Sequence, residues 1–269
     1  MMLSKEKIKQ SFSQGFLDES AFIPLIHLFD SLASTNIWLK ENGLCGEVCI
    51  AEQQTAGRGR QGKQWLSPKA ENIYLSLNWC FEVIPPHLSL LSLVVGISIA
   101  KVLQKTGLAD HGVKWPNDIY WQGLKMGGVL IESVISTTKL KVSGLNVVIG
   151  IGLNINMPLV AGQQIDQPWV SLGKVLKQRI DRNPLLALLL EQLIHDLQDF
   201  EQLDLSHFQQ QWQYWDVLNG QRVTLLQQHQ QLAGTVQGLD AQGRIGVKLL
   251  SGQLKYFSSA EIRLCKSAD

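Results

Sequence analysis

An α+β fold with a small all-β appendage is what this 269-residue sequence predicts. Three observations point to it. Helix-like and strand-like periodicities are interspersed up to about residue 218, a hairpin turn there joins antiparallel neighbours, and after Asn219-Gly220 five short strands follow in under fifty residues.

In chain order, residues 1–30 are weakly patterned, with one short helix between Ser4 and Phe16 and an apolar patch from Phe22 to Phe29. Ser34-Thr35-Asn36 ahead of Ile37-Trp38-Leu39 reads as a capped helix start. Glu47 to Ala51 alternates as a strand. Glu52 to Lys69 is a polar, glycine-rich loop, long enough to act as a lid. Asn72 to Trp79 is a strand by composition and alternation. After Pro85-Pro86, Leu88 to Lys105 predicts a helix. Its charge-poor part, Leu88 to Ala100, is shorter than the roughly 20 apolar residues a bilayer requires, so it is expected to be buried and no membrane is expected. Val113-Lys114-Trp115 opens a strand, and Ile119 to Trp121, Gln122-Gly123 and Met126 to Glu132 form a hairpin, with Lys139 to Ser143 as a further partner. Asn146 to Asn156 is an apolar strand in which Gly150 and Gly152 mark either a bulge or a close approach of backbone to a ligand. Asn183-Pro184 gives a helix start, cap then first-turn proline, followed by leucines at helical spacing from Leu185 to Leu197. Leu205 to Trp215 is a second helix. The short strands Arg222–Leu225, Leu232–Val236, Ile245–Lys248, Leu254–Phe257 and Ile262–Leu264 then suggest a small barrel.

Composition excludes several classes. A net charge of +1 offers no general attraction to DNA or anionic membrane. Cys45, Cys49, Cys80 and Cys265 match no zinc spacing and are expected to be reduced, structural thiols in a cytoplasmic protein. The charged start, Met1 to Lys7, lacks the apolar core of a signal peptide.

Two segments carry the chemistry. Gly57-Arg58-Gly59-Arg60-Gln61-Gly62-Lys63 satisfies G-x-G-x-x-G, but polar residues precede it and Trp65-Leu66-Ser67-Pro68 breaks any helix after it, which argues against a dinucleotide fold. It also satisfies the first seven positions of a Walker A loop, yet Gln64 stands where Ser or Thr should reach magnesium. The remaining reading is a mobile anion-binding loop: glycines let backbone approach a phosphate, and Arg58 and Arg60 offer planar forks to its oxygens. One charge pair near 4 Å is worth roughly 4 kcal/mol at an effective dielectric near 20, enough to close a loop over a charged ligand. The second segment, Lys114-Trp115-Pro116-Asn117-Asp118 with Lys125-Met126-Gly127-Gly128, places a carboxylate and a lysine across a hairpin, where they could face one cavity beside glycine backbone.

The chain resembles the biotin–protein ligases, also called biotin–[acetyl-CoA-carboxylase] ligases, over about residues 31–266. The resemblance rests on Ser34-Thr35-Asn36, Gly57 to Gly62 with Trp65, Lys114 to Asp118, Lys125 to Gly128, and Ile149-Gly150-Ile151-Gly152-Leu153-Asn154. It implies an α+β catalytic domain over 31–218, with a mixed, mostly antiparallel sheet flanked by helices, an SH3-like barrel over 219–269, and a short extension over 1–30. It implies ATP-dependent activation of biotin as biotinyl-5′-AMP, then transfer to a lysine of a biotin carboxyl carrier protein of acetyl-CoA carboxylase or a relative. By position, Lys125, Arg60 and Asp118 are the catalytic expectation. Biotin contacts are Ser34, Thr35, Asn36, Gln54, Gly57, Arg58, Lys125, Gly127, Gly128, Gly150 and Gly152. Nucleotide contacts are Arg58, Arg60, Trp65, Asn117 and Asn154, with Asp118 also the expected Mg2+ ligand. No tightly bound prosthetic group is expected. Relatives that repress transcription carry a winged helix-turn-helix. Here only about thirty residues precede Ser34, too few for such a domain, so no repressor function and no DNA partner are expected. Several family members dimerise by joining sheet edges, which leaves a homodimer through Lys139–Ser143 open. A lipoate or octanoate ligase is the neighbouring reading, against which the arginine-rich loop and Lys114–Asp118 argue. A DNA-bound biotin sensor is the reading from a different class.

Overall fold

A computed structural model of the chain describes residues 2–13, 22–134, 144–227 and 230–265. The N-terminal part holds α1 (Lys5–Gln10), β1 (Ile26–Phe29), α2 (Thr35–Asn42), β2 (Val48–Ala51), β3 (Ile73–Phe81), α3 (Leu91–Lys105), β4 (His111–Lys114), β5 (Asp118–Trp121), β6 (Leu124–Ser133) and β7 (Leu145–Leu153). The helices α4 (Leu172–Val175), α5 (Arg182–Gln198) and α6 (Leu205–Trp215) follow. Seven strands form one sheet in the order β1-β2-β3-β7-β6-β5-β4. Only β1 and β2 run parallel; every other neighbouring pair is antiparallel.

Strand alternation assigns the two faces. Val48, Ile50, Val147, Ile149 and Ile151 belong to the main core, while Cys49 and Val148, one residue out of phase, pack with Leu39 of α2 in a separate cluster. Thus α2 covers one face, and α3 covers the other with α5 and α6 stacked on it. Because α3 has sheet on one side and helices on the other, it is apolar nearly all round, and eleven of its residues are buried. Each fully buried Leu, Ile or Val there contributes roughly 1.5–3 kcal/mol. By length and composition Leu88–Lys105 could cross a membrane, but 67% of it is buried within the protein.

Five further strands, β8 (Arg222–Gln227), β9 (Gln230–Leu239), β10 (Ile245–Leu249), β11 (Leu254–Phe257) and β12 (Glu261–Leu264), pair antiparallel in the order β11-β10-β9-β8-β12. Among the described residues no ladder joins the edge strands β11 and β12. The turn at Asp240–Gly243 docks this sheet on the first part: Trp115 Nε1 donates to Gly243 O at 2.9 Å and Ser89 Oγ to Gln242 O at 2.8 Å.

Several expectations are corrected. The helix expected to start at Asn183-Pro184 begins at Arg182, capped by Asp181, which accepts from Asn183 N; Asn183 is inside the helix, because Asp181 offers its carboxylate two residues earlier. Ser34 holds the cap position of α2 but makes no side-chain cap bond. Lys114 ends a strand rather than opening one. Cys45 and Cys80 form a disulfide, their Cα atoms 5.7 Å apart, where four reduced thiols were expected; β3 carries Cys80 alongside the turn holding Cys45. The predicted strand Lys139–Ser143, and with it the candidate dimer edge, lies outside the described residues.

Candidate active site

A floor of missing side chains lies at the centre of the large sheet, on the face of α2. Ser76 pairs with Gly150 and Tyr74 with Gly152 across β3–β7, and Gly128 pairs with Gly152 and Leu130 with Gly150 across β6–β7. The register of β7 runs unbroken on both sides, so Gly150 and Gly152 are not bulge residues. They permit close approach. A Cβ at Gly150 would lie 2.0 Å from Asn36 Oδ1, and one at Gly152 would lie 2.5 Å from the Trp65 ring. Gly128 faces the same trough, its Cβ position 3.1 Å from Asp118 Oδ1. Gly127, expected beside it, points to the opposite face, towards Leu153 and Ile119, as strand alternation requires.

The trough has a polar wall. Thr35 donates from both N and Oγ1 to Gln54 Oε1, at 2.9 and 3.1 Å, and Gln54 Nε2 donates to Ser67 Oγ at 3.2 Å. Ser76 Oγ lies 2.7 Å from Thr35 Oγ1 and 2.6 Å from Asn36 Oδ1. Ser34, Thr35 and Asn36 are all buried.

Lys125 and Asp118 form an ion pair beside the floor, Nζ to Oδ1 2.8 Å, with side chains only 15% and 19% exposed. Their meeting depends on two local features. Gln122 and Gly123 both have positive φ, which makes the tight turn between β5 and β6. The register then shifts between Ile119 and Tyr120. Without that irregularity Lys125, three residues from Gly128, would project from the other face. The segment Pro168–Val170 holds Lys125 from outside: Lys125 N donates to Pro168 O and Val170 N to Lys125 O, both at 3.0 Å. This places Trp169 beside the site, a residue the sequence reading missed because nothing local marks it. Lys114 adds a second ammonium, 3.2 Å from Tyr120 Oη and 4.6 Å above that ring. Burial pulls it below the usual lysine value, against the attraction of Asp118.

The glycine-arginine loop folds on itself over this floor. Trp65 N donates to Gly57 O at 2.9 Å and Gly59 N to Lys63 O at 2.7 Å, with a short 3-10 turn at Arg60–Gly62. No helix follows, as expected. Arg60 Nη1 donates to Asn117 Oδ1 at 3.1 Å, and Asn117 Nδ2 donates to Val129 O at 2.7 Å, so both ends of that amide are held. Arg58 pairs with Glu132 at 3.4 Å. The buried indole N–H of Trp65 has no acceptor among the described residues, and its ring lies 5.5 Å from Lys125 Nζ. Asn154 is buried, its backbone N bonded to Met126 O and its amide to Val170 O. Among the described residues no three His, Cys, Asp or Glu side chains gather as a metal cluster. Asp118 is thus a single carboxylate, which suits an ion carried mainly by phosphate oxygens.

Residues 29–154 match the biotin/lipoate A/B protein ligase family, and residues 219–264 match the biotin protein ligase C-terminal domain. The bifunctional ligase/repressor BirA of Escherichia coli (strain K12) is 37% identical over 219 residues, 81% of this chain and 66% of that protein. The corresponding BirA of Salmonella typhimurium is also 37% identical, over 81% of this chain and 67% of its own length. The chain thus spans about two thirds of these relatives. A biotin protein ligase from Aquifex aeolicus in complex with biotin and ATP superposes with a TM-score of 0.76 at 28% identity, covering 91% of this chain and all of that one. With both domain models matched in order and a glycine-floored trough holding a partly buried lysine, this chain belongs to the biotin protein ligases of the biotin/lipoate A/B protein ligase family.

Proposed function

We propose that the chain activates biotin with ATP and transfers it to a protein lysine. The biotin carboxylate attacks the α-phosphate, a bond to pyrophosphate breaks, and biotinyl-5′-AMP forms; an acceptor lysine then attacks the mixed anhydride, giving an amide and AMP. The observation that carries this reading is the half-buried Lys125, held by Asp118 at 2.8 Å against the open backbone of Gly128. An ammonium fixed there stabilises negative charge that grows between carboxylate and phosphate, and pays little reorganisation to do so.

The other assignments follow the family positions. Ser34, Thr35, Asn36, Gln54, Gly57, Gly128, Gly150 and Gly152 form the biotin side, a polar wall over a bare floor. Gly127 contributes by letting β6 and β7 approach. Arg58, Arg60, Trp65, Asn117 and Asn154 form the nucleotide side; Asn117 acts by holding Arg60, and the Trp65 N–H offers a donor with no acceptor among the described residues. Magnesium arriving on ATP would find the single carboxylate of Asp118 and would neutralise phosphate charge there. The loop then excludes water from an anhydride that water would destroy. We place the catalytic part at 31–218 and the appended sheet at 219–269, and take the acceptor to be a biotin carboxyl carrier protein.

ATP–pyrophosphate exchange with magnesium, run in parallel with biotin, lipoate and octanoate, tests the reading. Exchange with biotin alone is expected. Exchange with lipoate or octanoate would move the activity to the neighbouring ligases, and no exchange with any acid would remove it.

A further inference from the structure

Glu132 stands outside every role described so far, yet three parts of the site converge on it. Its Oε1 receives Arg58 Nη1 at 3.4 Å, from the glycine-arginine loop, and Lys40 Nζ at 3.3 Å, from α2. Its Oε2 receives Asn36 Nδ2 at 3.0 Å. The other end of the Asn36 amide lies 2.6 Å from Ser76 Oγ, directly over Gly150. One carboxylate therefore ties the loop, the helix and the sheet floor together. Burial raises its proton affinity, but the bonds from Asn36 and Lys40 and the charge of Arg58 outweigh that and hold the carboxyl below its ordinary value.

The geometry constrains what this junction does. Asn36 has an amide that could be turned either way about its last torsion. Glu132 decides the matter together with the Leu130 carbonyl, 3.3 Å from Nδ2, because carboxylate and carbonyl oxygens take only donors and so must face Nδ2. The orientation of a pocket-lining amide on α2 is thus set by acceptors on β6, of which Glu132 is the side chain. Arg58, by contrast, is 45% exposed and its side chain is long; without an acceptor it would sample many rotamers over the pocket mouth. Glu132 sits on β6 four residues from Gly128, on the same face of the sheet, so its distance from the ion pair of Lys125 and Asp118 is fixed by backbone.

We infer that Glu132 is a positioning residue: it orients Asn36 for the ligand's polar ring and latches the glycine-arginine loop through Arg58. It touches no reacting atom, so its loss weakens capture and retention of the acid and leaves the phosphoryl chemistry at Lys125 in place. This rests on the biotin-ligase reading given above.

The test compares Glu132→Ala, Glu132→Gln and Lys40→Ala with the wild-type chain. Steady-state exchange is expected to show KM for biotin raised about tenfold in Glu132→Ala, with kcat within twofold. Glu132→Gln, which keeps an oxygen but loses the charge and can turn its own amide, is expected to fall between. Lys40→Ala removes a cation from the same carboxylate without touching Asn36 or Arg58, and is expected to leave KM within twofold. Hydrogen exchange of the unliganded proteins is the second readout: amides of residues 57–66 should exchange several-fold faster in Glu132→Ala, with the rest of β6 and β7 unchanged. A wild-type KM in Glu132→Ala, or a loss confined to kcat, overturns the inference, as does unchanged loop exchange. If the wild-type chain shows no biotin-dependent exchange, the ligase reading fails by itself, and the loop measurement still decides whether Glu132 is the latch.

Discussion

The two halves of the site are built in opposite ways. Lys125, Asp118 and the glycine floor belong to hydrogen-bonded strands; their neighbours on either side are backbone ladders, and the ion pair is mostly buried. Arg58, Arg60, Lys63 and Trp65 belong to a loop held by a few long-range side-chain bonds, to Glu132, Asn117 and Glu261. Lys63 and its partner Glu261 are largely in solvent, where an ion pair contributes about 0–1 kcal/mol. The contrast teaches a division of labour. On the proposed ligase reading, charge needed when bonds break is set in the sheet, and charge that must arrive, enclose and release is carried on a segment that few bonds restrain.

The largest effect should come from the fixed half. Lys125→Ala is expected to lower biotin-dependent exchange by about 100- to 1000-fold, the range for deleting one donor aimed at growing negative charge. Normal exchange in that variant would remove the catalytic assignment and erase the contrast. Next comes the floor. Gly152→Ala places a Cβ where the Trp65 ring lies, and relieving the overlap costs about 1–3 kcal/mol. Biotin KM should rise by roughly tenfold or more, in line with that cost at about 1.4 kcal/mol per decade. An unchanged KM, measured with the ring's fluorescence also unchanged, would show that Trp65 does not define the trough.

The moving half should behave differently. Arg60→Gly is expected to form adenylate but to release it early, by roughly tenfold, as the loss of one charge-assisted hydrogen bond of about 1.5 kcal/mol would give. A single-turnover trace in which this variant keeps its intermediate as long as wild type would show that Arg60 is no part of the lid. The last effect falls on stability and not on turnover, in the frame under the fixed half. Asp216 bridges Val113 of β4, and burial lifts its carboxyl to about 6 from 3.8, against bonds from Leu218 N and Trp212 Nε1. As pH rises through that window the unfolded chain loses its proton first, so the folded state binds more protons and stability falls. The penalty is absent below pH 3.8 and complete above about 6. Asp216→Asn should therefore flatten denaturant-midpoint differences between pH 4 and 7 by about 1–3 kcal/mol, two units at roughly 1.4 each being the upper bound. An equally steep profile in the variant would place the titration elsewhere.

Much of this was legible from residue order. The hairpin at Gln122-Gly123 follows from turn chemistry, α3 from its charge-poor apolar run, α5 from leucines at helical spacing, and the five C-terminal strands from short apolar runs between turn signals. The motif residues Lys125, Asp118, Gly128, Gly150 and Gly152 do meet at one trough. Glu132, Ser76 and Trp169 were not found, and the reason is common to all three: each belongs to an ordinary strand or loop sequence, and only pairing with a distant segment brings it to the site. Cys45 and Cys80 are separated by 35 positions, a spacing that names no partner. Gly127 and Gly128 look alike in sequence, while alternation sends their Cβ positions to opposite faces.

The sequence by itself determined which segments become helix, strand and loop, since periodicity and turn residues act over a few neighbours, and it marked the lysine, aspartate and glycines that meet at the trough. The tertiary structure alone decided which face each group serves. The register shift at Ile119–Tyr120 turns Lys125 towards Asp118, and the side-by-side registers of β3, β7 and β6 turn separate glycines into one floor. Register is a relation between strands far apart in the chain, fixed by the burial of a whole face, and no local stretch of residues contains it.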